Sequence, residues 1–200
     1  MILYPPIHFD ANEWFILVIS VASWGIFLLL PNRLSYVTLF IIWLFNGLLA
    51  FTADFSLGVK PFDLYDFGDR PEFEWFDVIL YLFTYPPTPF FMLHFYSKWR
   101  PTGWRFVGYI LLFSLATTGL EGISTYGFHV FTYKGWKLWY SGPIYLIIFS
   151  LNFLVYHFVQ RYVPERKNNS PFKRRYGSAV FESHYLNGEG GNKSLRRTKT

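Results

Sequence analysis

The sequence predicts an all-α, polytopic membrane protein: five transmembrane helices with the N-terminus outside and the C-terminus inside, then a disordered basic tail. Three observations carry that prediction. Phe 24, Tyr 15 and Trp 8 make the chain 24% aromatic, while charged residues reach only 16%, against about 25% in an ordinary soluble domain. Five uninterrupted apolar runs each reach the about 17–25 residues that cross a bilayer as a helix. Lys and Arg gather on alternate connections. The mean hydropathy of +0.21 understates the first point, because that index penalises Tyr and Trp.

The runs occupy about 14–30, 34–53, 76–96, 104–121 and 138–162, so that 1–162 forms the transmembrane domain and 163–200 the tail. The first has no charge and stops at Pro31-Asn32-Arg33. The second is apolar apart from Asn46 and hydroxyls, and ends at Asp54. The third is free of charge after Asp77 but holds Pro86, Pro87 and Pro89. The fourth has Arg105 at one edge and Glu121 at the other, and the fifth is apolar save Asn152, His157 and the closing Gln160-Arg161. A buried soluble helix of this length would carry a polar face. These runs carry none.

Orientation follows from the basic residues near span ends. With the N-terminus outside, Arg33, Lys98, Arg100, Arg105 and the tail lie inside, and only Lys60, Arg70, Lys134 and Lys137 lie outside. Discounting the distal Lys193, Arg196, Arg197 and Lys199, the ratio is ten to four. The net charge of +5 thus reflects sidedness and does not point to nucleic acid. Met1–Glu13 has no Lys or Arg, carries Pro5-Pro6 and lacks a small-x-small cleavage pattern, so the first run reads as a retained helix. Trp14, Trp75, Trp136 and Trp139 fall at outer span ends and Trp99 and Trp104 at inner ones, as interfacial belts require.

The outer loop 54–75 interleaves Asp54, Asp63, Asp66, Asp69, Glu72 and Glu74 with Phe62, Tyr65, Phe67 and Phe73. Its acids lack the D-x-[DN]-x-[DN]-G calcium pattern. The expectation is a solvated loop whose aromatics fold onto the bundle mouth. The tail cluster Lys173-Arg174-Arg175 reads first as a topology determinant and second as a contact for anionic lipid.

Several polar residues inside the runs are candidates for chemistry. Three prolines within four positions should break the third run, and broken backbone at membrane depth must be buried in protein or face water. A kinked, packed helix is one reading and a transport site the other. Glu121 should lie within the membrane if the fourth helix continues through Ile123–Phe131, with Lys134, Lys137 or Asn46 as its expected partner. His94 and His157 sit near the inner ends of parallel spans, an arrangement a b-type haem would need. Asn46 and Asn152 read as hydrogen-bond glue between helices. With no Cys, no Gly-rich phosphate loop, no G-x-S-x-G and no H-E-x-x-H, the sequence offers no catalytic, metal or cofactor signature.

The run Tyr133-Lys134-Gly135-Trp136-Lys137-Leu138-Trp139-Tyr140-Ser141, with Glu121 before it and the fifth span after it, resembles the signature of a family of small multi-pass membrane proteins of spore-forming Firmicutes, Bacillus-type in character. The likeness covers about 76–161 and includes the proline-containing third span; the triple proline, the longer acidic loop and the basic tail depart from it. The resemblance implies a bacterial cell membrane, with the forespore or spore membrane as a special case, gives Glu121 and the Gly135-Trp136 motif as the family positions, and implies no activity. Two functions are therefore expected in order: a non-enzymatic scaffold or accessory subunit that meets a membrane-protein partner through loop 54–75 or the tail, and a small transporter or channel component using the proline break and Glu121. Beyond a protein partner, the lipid bilayer is the surrounding solvent.

Overall fold

The computed structural model describes residues 3–31, 33–69 and 72–163. The tail beyond 163, with Lys173-Arg174-Arg175, lies outside the described residues, as do Asn32, Arg70 and Pro71.

Helix α1, Ala11–Leu29, starts at a capping box: the Asp10 side chain takes the third helical amide while Glu13 Oε2 accepts Asp10 N–H at 2.9 Å. It stops because Leu30, preceding Pro31, is extended (ψ 145°). Helix α2, Tyr36–Ala53, is capped by Ser35, whose hydroxyl accepts Thr38 N–H at 3.1 Å, and it runs on into a π-helical turn, Asp54–Gly58. Helix α3, Trp75–Ile79, continues through a second π-helical turn, Leu80–Thr84, and helix α4, Pro87–Trp99, follows. A tight turn with Arg100 left-handed (φ 45°) and Gly103 at φ 56° reverses the chain into helix α5, Trp104–Phe128. Helix α6, Leu138–Gln160, is the last.

Four helical segments are long and apolar enough to cross a membrane: Ala11–Leu29, Tyr36–Gly58, Trp104–Phe128 and Leu138–Gln160. The third apolar run is not one helix over 76–96. The prolines divide it, and its second piece reaches Trp99. The fourth run likewise passes its expected end and continues seven residues beyond Glu121.

The bundle is mostly helical, with one exception to the all-α expectation. Strands β1, Tyr65–Phe67, and β2, Phe131–Tyr133, form an antiparallel ribbon with Tyr65 opposite Tyr133 and Phe67 opposite Phe131. The ribbon draws together the connections at one end of the bundle. Tyr4 bridges to Glu74, and His8 N–H donates to Asp69 at 2.9 Å. Loop 54–75 is therefore folded rather than simply solvated: Tyr65 is buried and Phe67 and Phe73 half-buried, while Phe62 stays 61% exposed.

Polarity is arranged for lipid. Leu29, Val21 and Leu154 are 86%, 73% and 69% exposed, whereas Thr38, Asn46, Ser114 and Asn152 are buried. One apolar core, around Ile42, Phe90, Leu93, Phe149 and Phe153, joins α2, α4, α5 and α6; another, around Ile16, Phe76, Leu80, Tyr81 and Val130, lies under the ribbon. Between α2 and α6 the two asparagines form a closed amide pair: Asn46 Nδ2 donates to Asn152 Oδ1 at 2.7 Å and Asn152 Nδ2 donates back to Asn46 Oδ1 at 3.0 Å. Each amide also donates to its own helix, at the carbonyls of Ile42 and Ile148. Interhelical polar pairs in lipid contribute about 0.6 kcal/mol, up to about 1.7. Asn46→Leu or Asn152→Leu alone should cost about 0.5–1.5 kcal/mol of stability in detergent, and the double substitution less than the sum of the singles. Strict additivity in chemical unfolding would contradict this pairing.

Candidate functional site at the ribbon end

Glu121 sits seven residues before the end of α5, and the elements that follow bring its partners to it. His129, left-handed at φ 54°, ends the helix and turns the chain back, with Val130 N–H donating to Ser124 C=O at 3.0 Å. Tyr133 on β2 donates its phenol to Glu121 Oε1. Ser141, in the first turn of α6, donates its hydroxyl to the same oxygen at 2.7 Å, and Trp136 Nε1 donates to Ser141 Oγ at 3.0 Å. Gly122 of α5 packs against Leu138 at the start of α6, where a Cβ would lie 3.0 Å from Leu138 Cδ2.

None of the expected partners of Glu121 holds it. Lys134 faces the other way and pairs with Asp63 at 2.8 Å and Asp66 at 2.9 Å. Those hydrogen bonds hold its ammonium above the ordinary lysine range. Asn46 is taken by Asn152, and Lys137 makes no ion pair among the described residues. The half-buried carboxylate is instead held by hydroxyls. Burial, with the bond to Glu121, pushes the Tyr133 phenol well above its usual value, which fixes it as a donor.

Gly135 and Trp136 form the turn into α6, and Trp139 and Tyr140 lie in its first turn. The amides of Lys134, Gly135 and Trp136 all point to Leu64 C=O, at 2.9, 3.0 and 3.0 Å. A Cβ on Gly135 would lie 3.1 Å from Leu64 Cδ2, so a larger residue would push that leucine's end aside. Tyr140 packs between Trp139 and Trp136 with ring centroids 4.1 and 5.7 Å away, and Trp139 is 65% exposed, as an interfacial anchor should be.

A second carboxylate, which the sequence reading passed over as a span end, lies on the same side. Tyr65 donates to Asp54 Oδ1 at 2.7 Å. The Tyr65 phenol is pushed up by burial first and then by Asp54, and it also feels the charge of Glu121. The two phenols belong to residues paired across the ribbon, Tyr65 opposite Tyr133. The available signal was a tyrosine, Tyr65 or Tyr133, in the connection next to each acid-ended run.

The proline break is closed by two tryptophans that sequence reasoning did not use. Pro86 and Pro87 cannot donate to the carbonyls four residues earlier, those of Leu82 and Phe83. Trp43 Nε1 donates to Leu82 C=O at 2.8 Å and Trp24 Nε1 to Phe83 C=O at 2.8 Å, from α2 and α1. Ser20 and Thr84 hydroxyls add a contact at 2.7 Å. Pro87 and Pro89 fall in the first turn of α4, where a missing amide costs nothing.

His94 is buried and His157 exposed, and the two rings do not touch. His157 directs Nδ1 toward Phe153 C=O at 2.9 Å and Nε2 toward the Tyr96 hydroxyl at 3.5 Å. Asp10, Glu13 and Asp69 place one oxygen each within 4.8 Å of one another, but these acids already cap α1 and accept from His8 and Asn12.

No family model, curated protein or solved structure matches this chain.

Proposed function

We propose that this chain is a non-enzymatic integral protein of a bacterial cell membrane, a scaffold or accessory subunit. In this reading it crosses the bilayer five times, α3 and α4 together making the third crossing, with the ribbon end outside and the C-terminus inside. It belongs with the spore-forming Firmicutes proteins it resembles, and the forespore or spore membrane is its special setting. The observation that carries the reading is the state of the proline break: both orphaned carbonyls are filled by indole donors from neighbouring helices, so the break is packed rather than open. The groove at the ribbon end reaches Tyr133 and Trp136 but none of the three prolines. A transport route through both features has no support in that packing.

The exposed side of loop 54–75, with Val59, Phe62 and Trp75 each at least half exposed, is the surface offered to a membrane-protein partner. A second reading, movement of protons or ions, is favoured by one observation only, the cross-ribbon pair Tyr65 and Tyr133, bonded to Asp54 and Glu121 respectively. Cross-linking in native membranes followed by purification, beside flux measured in proteoliposomes, separates the two. The scaffold reading expects one stoichiometric partner, lost on Phe62→Ser, and no flux. A proton flux abolished by Glu121→Gln would replace it with the transport reading. Topology is testable cleanly because the chain has no Cys: Lys60→Cys should react with an impermeant maleimide in intact cells and Thr102→Cys only after lysis.

A further inference from the structure

A groove of roughly 790 Å³ runs down the face between α5 and α6 from the turn that holds Trp136. That volume lies within the about 300–1,000 Å³ of small-molecule sites. Leu111, Leu115 and Leu146 are among its walls, and Gly142, with no side chain, deepens it opposite Thr118. Its rim is formed by Lys137 and Trp139. The two lysines of the motif differ in state. Lys134 is committed to Asp63 and Asp66, while Lys137 is exposed and makes no ion pair among the described residues. The back wall includes Tyr133 and Trp136, the side chains that the Glu121 network fixes in place.

We propose that this groove binds one anionic glycerophospholipid, with an acyl chain in the leucine-walled slot and the phosphate on Lys137. The charge pattern selects this occupant. The slot is walled mostly by apolar side chains, and the hydroxyls of Ser114 and Thr118 in it are spent on the carbonyls of Gly142 and Ser114, so it offers little to a polar solute. A lone ammonium at headgroup level, on a stem that can extend along the apolar wall, attracts phosphate as a point charge. Trp139 beside it sits where an aromatic ring meets the glycerol region. The Glu121 network gains a second consequence from this placement: by holding Tyr133 and Trp136 it preforms the wall, so the lipid need not order it.

The full-length protein, delipidated in detergent and offered equimolar phosphatidylglycerol and phosphatidylcholine, tests this by native mass spectrometry. One phosphatidylglycerol should be retained per chain with about fivefold preference, the effect of one lysine near an anionic surface. Lys137→Gln should reduce the preference to parity, and Lys60→Gln should leave it intact. Leu115→Trp, which fills the slot from its exposed wall, should abolish retention of both lipids. Gly142→Leu fills it from the opposite side and should act alike, so a folding defect in one variant does not hide the result; each variant's helicity is checked by circular dichroism. Equal retention of the two lipids by the native chain would mean annular binding only and would overturn the site. So would a preference that survives Lys137→Gln, or a dimer of this chain that excludes lipid.

Discussion

Trp43→Phe should destabilise the bundle by about 1–3 kcal/mol, and Trp24→Phe by a similar amount. The reason is local and countable. Leu82 C=O would be bonded in a regular helix by the amide of residue 86, and Phe83 C=O by that of residue 87, and both are prolines. In hydrocarbon no water replaces the missing donors. The indoles of Trp43 and Trp24 do, each at 2.8 Å. Phe keeps most of the ring and removes the N–H, so each carbonyl is left unsatisfied. A double-mutant cycle isolates the bond from the loss of ring volume. Pro86→Ala restores a backbone donor to Leu82, so Trp43→Phe should cost about 1 kcal/mol less in that background than in the native one. The readout is the melting temperature in one detergent, at about 2–4 °C per kcal/mol for a chain of this size. Losses that simply add would mean that the indoles only fill space.

Much of this architecture was readable from side-chain type alone, because a bilayer makes strong demands on long segments. The apolar runs placed α1, α2, α5 and α6, and two mid-run asparagines read as interhelical glue, although that each would be the other's partner was not legible. Partner choice was not readable in the same way. Lys134 and Tyr133 are neighbours in sequence, and the positive one looks like the natural match for Glu121. On a strand, neighbours point to opposite faces. Once β2 pairs with β1, Tyr133 turns inward to the acid and Lys134 outward to Asp63 and Asp66. Three-residue strands leave too little alternation to announce themselves. Trp24 and Trp43 were a missed signal of another kind. Six of the eight tryptophans mark span ends, so two in mid-run, level with a proline cluster, have an N–H that needs a buried acceptor.

Glu121→Ala should lower stability by about 2–3 kcal/mol, a fall of roughly 4–12 °C, because it removes one acceptor from several donors at once. Tyr133 and Ser141 both donate to Oε1, and Trp136 depends on Ser141. The conservative Glu121→Gln keeps an amide oxygen where Oε1 stands and should lose only about 1 kcal/mol. Glu189→Ala, outside the described residues, serves as the control and should leave the melting curve unchanged. This ordering separates hydroxyl solvation from a lysine pair. If a charge pair with Lys134 or Lys137 held Glu121, the amide would fail as badly as alanine, and Lys137→Gln would be costly and non-additive with Glu121→Ala. Held by phenol and hydroxyl donors, the site should tolerate Lys137→Gln without loss of stability. Tyr133→Phe and Ser141→Ala should each cost about 1 kcal/mol, and neither should add fully to Glu121→Ala, since all three remove parts of one network. Equal melting temperatures for Glu121→Ala and Glu189→Ala would show that the carboxylate is solvated at the membrane surface and that the ribbon closes without it.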